Sequence, residues 1–169
     1  MAEPETQDAF LWFSTGTIQG ESQDADMEGN NAMELLDFTV TAHNSVNIGS
    51  ATKGGGGAGK VSFDRLVIRK RSDKATTGFF KALATNEHID NAWIMMRRSG
   101  QPYIMIEFNL VLIAEMETSQ GGDQEAEDSI VIDWGSVKIE YQEQDAKGKM
   151  KKVQEALWSR TKNKPEHKV

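Results

Sequence analysis

The sequence predicts a mainly β protein: a small antiparallel barrel or sandwich with one short flanking helix. Three observations carry this. Apolar and polar residues alternate with period two along most of the chain, giving about seven or eight strand-like runs. Only Gly78 to Asn86 departs from that period, with Phe79, Phe80 and Leu83 at helical spacing. The length of 169 residues suits one domain with its own core. We place the barrel in 1–160, with an extended Gly-rich loop over 43–60 and the helix over 78–88. A basic tail occupies 161–169.

Taken in order, Phe10, Trp12 and Phe13 mark a first strand. In Leu36 to Ala42 the even positions are apolar and the odd ones polar, the pattern of a half-buried strand. Val61 to Arg71 is strand-like, but its apolar phase shifts between Phe63 and Leu66, which predicts a bulge or twist. Thr76 or Thr77 caps the helix, both of its Phe side chains are buried, and His88 complements the dipole at its end. Trp93 to Met96 centre the next strand, and Gly100-Gln101-Pro102 turns the chain. From Ile104 the even positions Ile106, Phe108, Leu110, Leu112, Ala114 and Met116 form the longest apolar face. Ile130 to Trp134 is a strand, Gly135 breaks its phase, and Val137, Ile139 and Tyr141 resume the alternation. Met33, Met95, Met96, Met105 and Met116 fall in strand patterns and read as core filler.

Composition narrows the chemistry. With no cysteine there is no disulfide, thiolate metal site or Cys nucleophile, and three scattered histidines make no zinc set. No cofactor or metal is expected. The net charge of −7 argues against a general nucleic-acid binder. That charge is unevenly placed. Residues 147–169 carry eight Lys or Arg against two Glu, a local +6 that leaves −13 for the rest. The basic stretch lies either on its own acidic body or on another chain. The acidic start Met1 to Asp8 lacks the basic and apolar parts of a secretory signal, and the apolar-rich run Tyr103 to Ala114 is too short and polar to span a bilayer. A protein made in the cytosol, without membrane insertion, is expected.

Gly54 to Lys60 fits the phosphate-loop spacing Gly-x4-Gly-Lys. The next residue, however, is Val61 rather than the Ser or Thr that holds magnesium. The loop also runs into alternating, β-branched sequence instead of a helix. Ser14, Ser22 and Ser129 have no recognised His and Asp partners. Asp123 to Asp128 lacks the ligand spacing of a calcium loop and reads as a solvated acidic face. The residues alone leave three readings: an interaction protein, a barrel holding a small apolar ligand, and a phosphate-loop nucleotide-binding protein.

Phe10 to Asp24, with Gly20-Glu21-Ser22-Gln23-Asp24, resembles the opening strand and Gly-Glu-Ser-x-Asp turn of haemolysin-coregulated proteins, the inner-tube subunits of type VI secretion systems. The block Gly55 to Val61, Leu66 to Lys70 and Asp73 to Thr77 is similar to that family's loop end, third strand and helix start. Val137 to Gln142 and Trp158 match its closing strands. The chain departs at Thr76-Thr77, where the family commonly has Ser-Pro, and at Asn86, where a Gly often ends the helix.

The resemblance implies a non-enzymatic barrel that assembles as a homohexamer. Its rings stack into a hollow tube, driven by a contractile sheath, capped by a VgrG-like spike protein, and able to hold effector proteins in the lumen. The tube is then secreted through the apparatus. On this reading His43, Asn44, Asn47, Ile48, Lys53, Gly55, Gly56, Gly57 and Lys60 form the ring-stacking loop, and Asp73, Lys149, Lys151 and Lys152 make inter-subunit charge contacts.

Overall fold

The computed structural model describes residues 7–45, 60–145 and 150–169. Among these residues ten strands and one α-helix, with a short 3-10 helix (Glu28–Asn30) after the first strand, follow the order β1 (Gln7–Phe13), β2 (Met33–Glu34), β3 (Asp37–Thr39), β4 (Ala42–Asn44), β5 (Val61–Phe63), β6 (Leu66–Arg71), α1 (Ala75–Ala84), β7 (Ile89–Arg98), β8 (Gln101–Ser119), β9 (Glu127–Gln144) and β10 (Met150–Ser159). The main sheet is antiparallel and ordered β2-β1-β7-β8-β9-β6-β3, with β10 paired to β9. The sheet curls, and the short segment 33–39 joins its two ends. There the Leu35 N–H donates to the Ala9 carbonyl, and the Leu36 N–H to that of Arg69. β9 serves two neighbours along one edge. Its first part pairs with β6 from Glu127 to Ile132, and its second with β10 from Ser136 to Gln144.

The phase shift expected between Phe63 and Leu66 is a strand break. β5 pairs with β4 as a separate ribbon, and β6 rejoins the main sheet. The strand expected over Leu36 to Ala42 shrinks to three residues. Phe38 and Val40 pack on the core, but Leu36 is 44% exposed, because its backbone has turned to bridge to Arg69.

The long apolar face of β8 also differs from expectation. Ile106 and Phe108 are buried, and then the burial phase switches to Val111 and Ile113. Leu110 sits between them with φ +53°, a left-handed conformation that L side chains rarely adopt. β9 switches at the facing position, where Trp134, Gly135, Ser136 and Val137 are buried in succession. Leu110 and Gly135 therefore form one kink across both strands. A Cβ on Gly135 would lie 3.1 Å from that of Leu110.

The helix expected over 78–88 runs Ala75–Ala84 and closes one end of the core. Phe79 is fully buried, edge-on to Phe13 at 5.7 Å. Phe80 is 66% exposed, so only one of the two Phe side chains enters the core. Neither Thr caps the start. The Asp73 carboxylate accepts from the Ala75 N–H, while Thr77 donates to the Lys74 carbonyl. Asn86 takes the left-handed turn at φ +53° that a Gly would otherwise supply. His88 lies exposed beyond it, outside the last turn where the dipole is felt. Phe108 and Trp134 fill the middle of the core, with Phe63 against Trp134. A second small cluster, Phe10, Met27, Ala32 and Met95, packs on the opposite face of β1 and β7.

Candidate functional site

Sequence reading placed the functional residues in a loop and in scattered charges. The structure shows what holds the surfaces around them. The loop is rooted in the β4–β5 ribbon. His43 and Asn44 belong to β4 and face Ser62 and Val61, so the extended loop starts later than His43. The His43 Nε2 lies 3.0 Å from Asp64 Oδ2, and the Lys60 N–H donates to Ser45 Oγ. Asn47, Ile48, Lys53, Gly55, Gly56 and Gly57 lie outside the described residues. Past Lys60 the chain enters β5 and not a helix, so the helical context of a phosphate loop is missing.

Asp73 belongs to an intrachain anchor. Lys70 is fully buried, and its ammonium donates to Asp73 Oδ1 at 2.6 Å and lies 3.4 Å from Asp128 Oδ2. Asp128 also accepts from Ser72, Thr76 and Thr118. Burial pushes its carboxyl up. The hydrogen bonds from Thr76, Thr118 and Ser72, with the Lys70 charge, outweigh that and hold it below the usual carboxylate range. Asp128 is thus no part of a solvated acidic face. It ties β6, β8 and β9 to the start of α1.

The Gly20-to-Asp24 turn finds its partner in Arg97, which sequence reasoning missed. The Arg97 guanidinium donates to Asp24 at 2.5 and 3.1 Å and to Asp8 at 3.1 Å, and sits 4.5 Å over the Phe10 ring. It holds the Asp24 carboxyl below its ordinary value. Gly20 is required because a Cβ there would collide with the Ala32 carbonyl. Ser22 donates to Glu34 and accepts from the Asp24 N–H. Arg97 is 73 residues away from Asp24 in the chain, so no local signal could have paired them.

Two unlike surfaces lie near opposite ends of β9. At its start, Glu21, Glu34, Asp73, Glu125 and Arg71 line a groove of about 760 Å³ together with Leu35 and Leu36. Toward its end, Ile139 is 38% and Tyr141 42% exposed, and Val153 on β10 is 41% exposed. β10 pairs with β9 alone among the described strands, apart from a single bridge at Ser159. Lys151 is exposed on this strand, Lys152 lies in it, and Lys149 is outside the described residues. No described helix is long and apolar enough to cross a membrane.

The model of the family described as "Type VI secretion system effector, Hcp" matches residues 10–141, from the first strand into the last part of β9. The chain belongs to the Hcp family.

Solved Hcp structures share the fold. A type six secretion system protein superposes with TM-score 0.84 at 22% identity, covering 94% of this chain and 99% of that one. Hcp1 from Salmonella typhimurium gives 0.74 at 25% identity, covering 94% and 97%. A type VI secretion system effector from Yersinia pestis gives 0.74 at 20%, covering 90% and 99%. A comparison with curated proteins found no match. Family membership makes this a type VI secretion system protein and accounts for the order of motifs from Gly20 to Tyr141. Hcp proteins are secretion-system components and not a known enzyme family.

Proposed function

We propose that this Hcp protein is a tube subunit: six copies close into a ring, and rings stack into a hollow tube. A closed ring requires that one patch of each copy meet a different patch of the next. The observation that supports this best is the pair of unlike surfaces set apart along β9. An 18-residue strand spans roughly 60 Å at 3.3 Å per residue. One end presents the acidic groove. The other presents an edge of β10 that no described strand covers, exposed Ile139 and Tyr141, and a stretch rich in Lys. Such an edge offers unpaired backbone groups to another chain.

In this reading Lys149, Lys151 and Lys152 meet acidic residues of a neighbouring copy. Glu21, Glu34 and Glu125 are better placed for that than Asp73, which is engaged with Lys70. The stacking contact falls to the segment between Asn44 and Lys60, which joins β4 to β5. A VgrG-like spike, a contractile sheath and effectors in the lumen are the partners such a tube requires. The reading also places the protein in the cytosol before secretion through the apparatus. The rival reading, a barrel around a small ligand, finds less support, because Phe79, Phe108 and Trp134 fill the interior.

The test is assembly of charge variants. Reversing Lys149, Lys151 and Lys152 together is expected to leave the strand content by circular dichroism intact. It should lower the fraction of ring-sized particles in sedimentation. Unchanged assembly would remove the charged contact from the proposal.

A further inference from the structure

The pairings of β1, β7, β8, β9 and β10 set out the sheet face turned away from the core as rows of side chains. In one row Trp12 stands beside Trp93, Trp93 beside Glu107, and Glu107 beside Lys138. In the next, Phe10, Met95, Met105, Glu140 and Glu155 follow one another from β1 to β10. Two covers lie on this face. The segment before β2 sets Met27 and Ala32 on Phe10 and Met95. The C-terminal residues lie beyond the tryptophan row, where the His167 carbonyl accepts from Asn109 Nδ2 and its Nδ1 lies 3.1 Å from Ser136 Oγ. Between the covers runs a strip that the described residues leave partly open, with Trp12 and Trp93 half-buried and Glu155 exposed.

This strip has an aromatic end and an acidic end. The Trp12 and Trp93 rings stack with centroids 5.9 Å apart and planes inclined by 18°. Met105 packs with Trp12 against the small cluster of Phe10 and Met95. At the other end Glu140 and Glu155 face each other across the ladder, an unfavourable pairing of like charges. The Lys138 ammonium is already shared, 3.4 Å from both Glu107 and Glu140. Three carboxylates therefore meet one ammonium, and Glu155 has no ion pair among the described residues. Elsewhere the fold satisfies such groups with arginine. Arg97 lies over Phe10, Arg98 over Tyr103 and Arg160 over Trp134, each within 4.7 Å of the ring centre. Arg97 and Arg160 hold carboxylates at the same time. The Trp12–Trp93 stack receives no cation from the described residues.

We infer that this strip is a docking surface for an arginine-bearing segment of a partner protein. A guanidinium stacks on an aromatic face and grips a carboxylate with a planar fork, whereas an ammonium acts as a point charge. From β7 to β10 there are three strand spacings, about 14 Å. An extended segment crosses that distance in about four residues, and every second side chain points to the same face. The segment that fits carries one arginine over the tryptophans and an apolar residue two positions on, against Met105. A second arginine, two positions further, reaches Glu155. The surface belongs to a single chain, and the inference holds whether or not copies assemble.

Equilibrium dialysis of the full chain at low salt, against a labelled and end-capped Arg-Ser-Leu-Ser-Arg peptide, tests this. Its counterpart Lys-Ser-Leu-Ser-Lys is the comparison. The arginine peptide is expected to bind about fivefold more tightly. Trp93→Leu should remove that preference. Glu155→Gln, at an exposed position that the fold does not depend on, should weaken both peptides about threefold. Glu21→Gln combined with Glu125→Gln, in the acidic groove, should change neither. Equal binding of the two peptides, binding of neither, or a loss that follows the groove substitutions instead would overturn the inference. So would release of single chains from larger particles on adding the arginine peptide, because the strip would then belong to a second copy.

Discussion

The Asp128 carboxylate is the residue on which the fold converges most tightly. It is fully buried, accepts from three hydroxyls, and faces the buried Lys70 ammonium. Asp128→Ala leaves those donors without their acceptor, and we expect a loss of about 3 kcal/mol in chemical denaturation. The sign with pH follows from its depressed folded-state value. The stabilisation is full above the unfolded carboxylate range and is lost as pH falls through the folded value. Thr118→Val removes one donor and raises that value toward the usual one. The stability difference between wild type and this variant is therefore expected to be about 1 kcal/mol near neutral pH. It should shrink below about pH 4. Lys70 and Asp73 stood out in the sequence because they match a family pattern. Asp128 was hidden in an acidic run whose composition reads as solvent-facing, and only long-range packing separates it from Asp123 and Glu125. Arg97 was hidden for the same reason.

At the scale of elements, period-two alternation located most of the strands, and the helix stood out by its different spacing. The parts that sequence could not show are those where backbone geometry overrides pattern. Leu110 carries a left-handed φ inside β8, which no residue preference signals. The face it starts on therefore passes to Val111 and Ile113. The helix poses the same question at Phe79 and Phe80, which spacing alone treats alike. Phe79→Ala should cost about 3–5 kcal/mol and Phe80→Ala under about 0.5 kcal/mol by the same denaturation measurement. Gly78 offers a sharper contrast. Helix propensity favours Ala over Gly by about 1 kcal/mol. Yet a Cβ at Gly78 would collide with the Thr17 carbonyl and press within 2.9 Å of the Ile18 Cα, both backbone atoms that cannot step aside. We expect Gly78→Ala to destabilise by about 1–2 kcal/mol, against propensity. A rise in melting temperature would show that the loop before β2 yields more easily than its packing suggests.

On the scale of the whole molecule, the charge split legible in the sequence resolves in two ways. Part of the basic stretch lies on its own barrel, where Arg160 pairs with Asp133. The other part, around Lys151, sits on β10, near the opposite end of β9 from the acidic groove. Composition alone could not divide the two, because both are Lys-rich and adjacent. Removing 47–57 is expected to leave the thermal transition nearly unchanged, since the β4–β5 ribbon is held from outside that segment, while tubes vanish from electron micrographs. Raising salt should weaken association that depends on exposed charge, because screening is strong beyond about 8 Å at physiological ionic strength. The most direct measurement is the particle mass in solution over a concentration series, paired with electron microscopy of the same sample. Ring formation predicts particles of six times the 18.8 kDa chain, seen end-on as annuli with an open centre. Single-chain particles at every concentration, with no annular views, would contradict it.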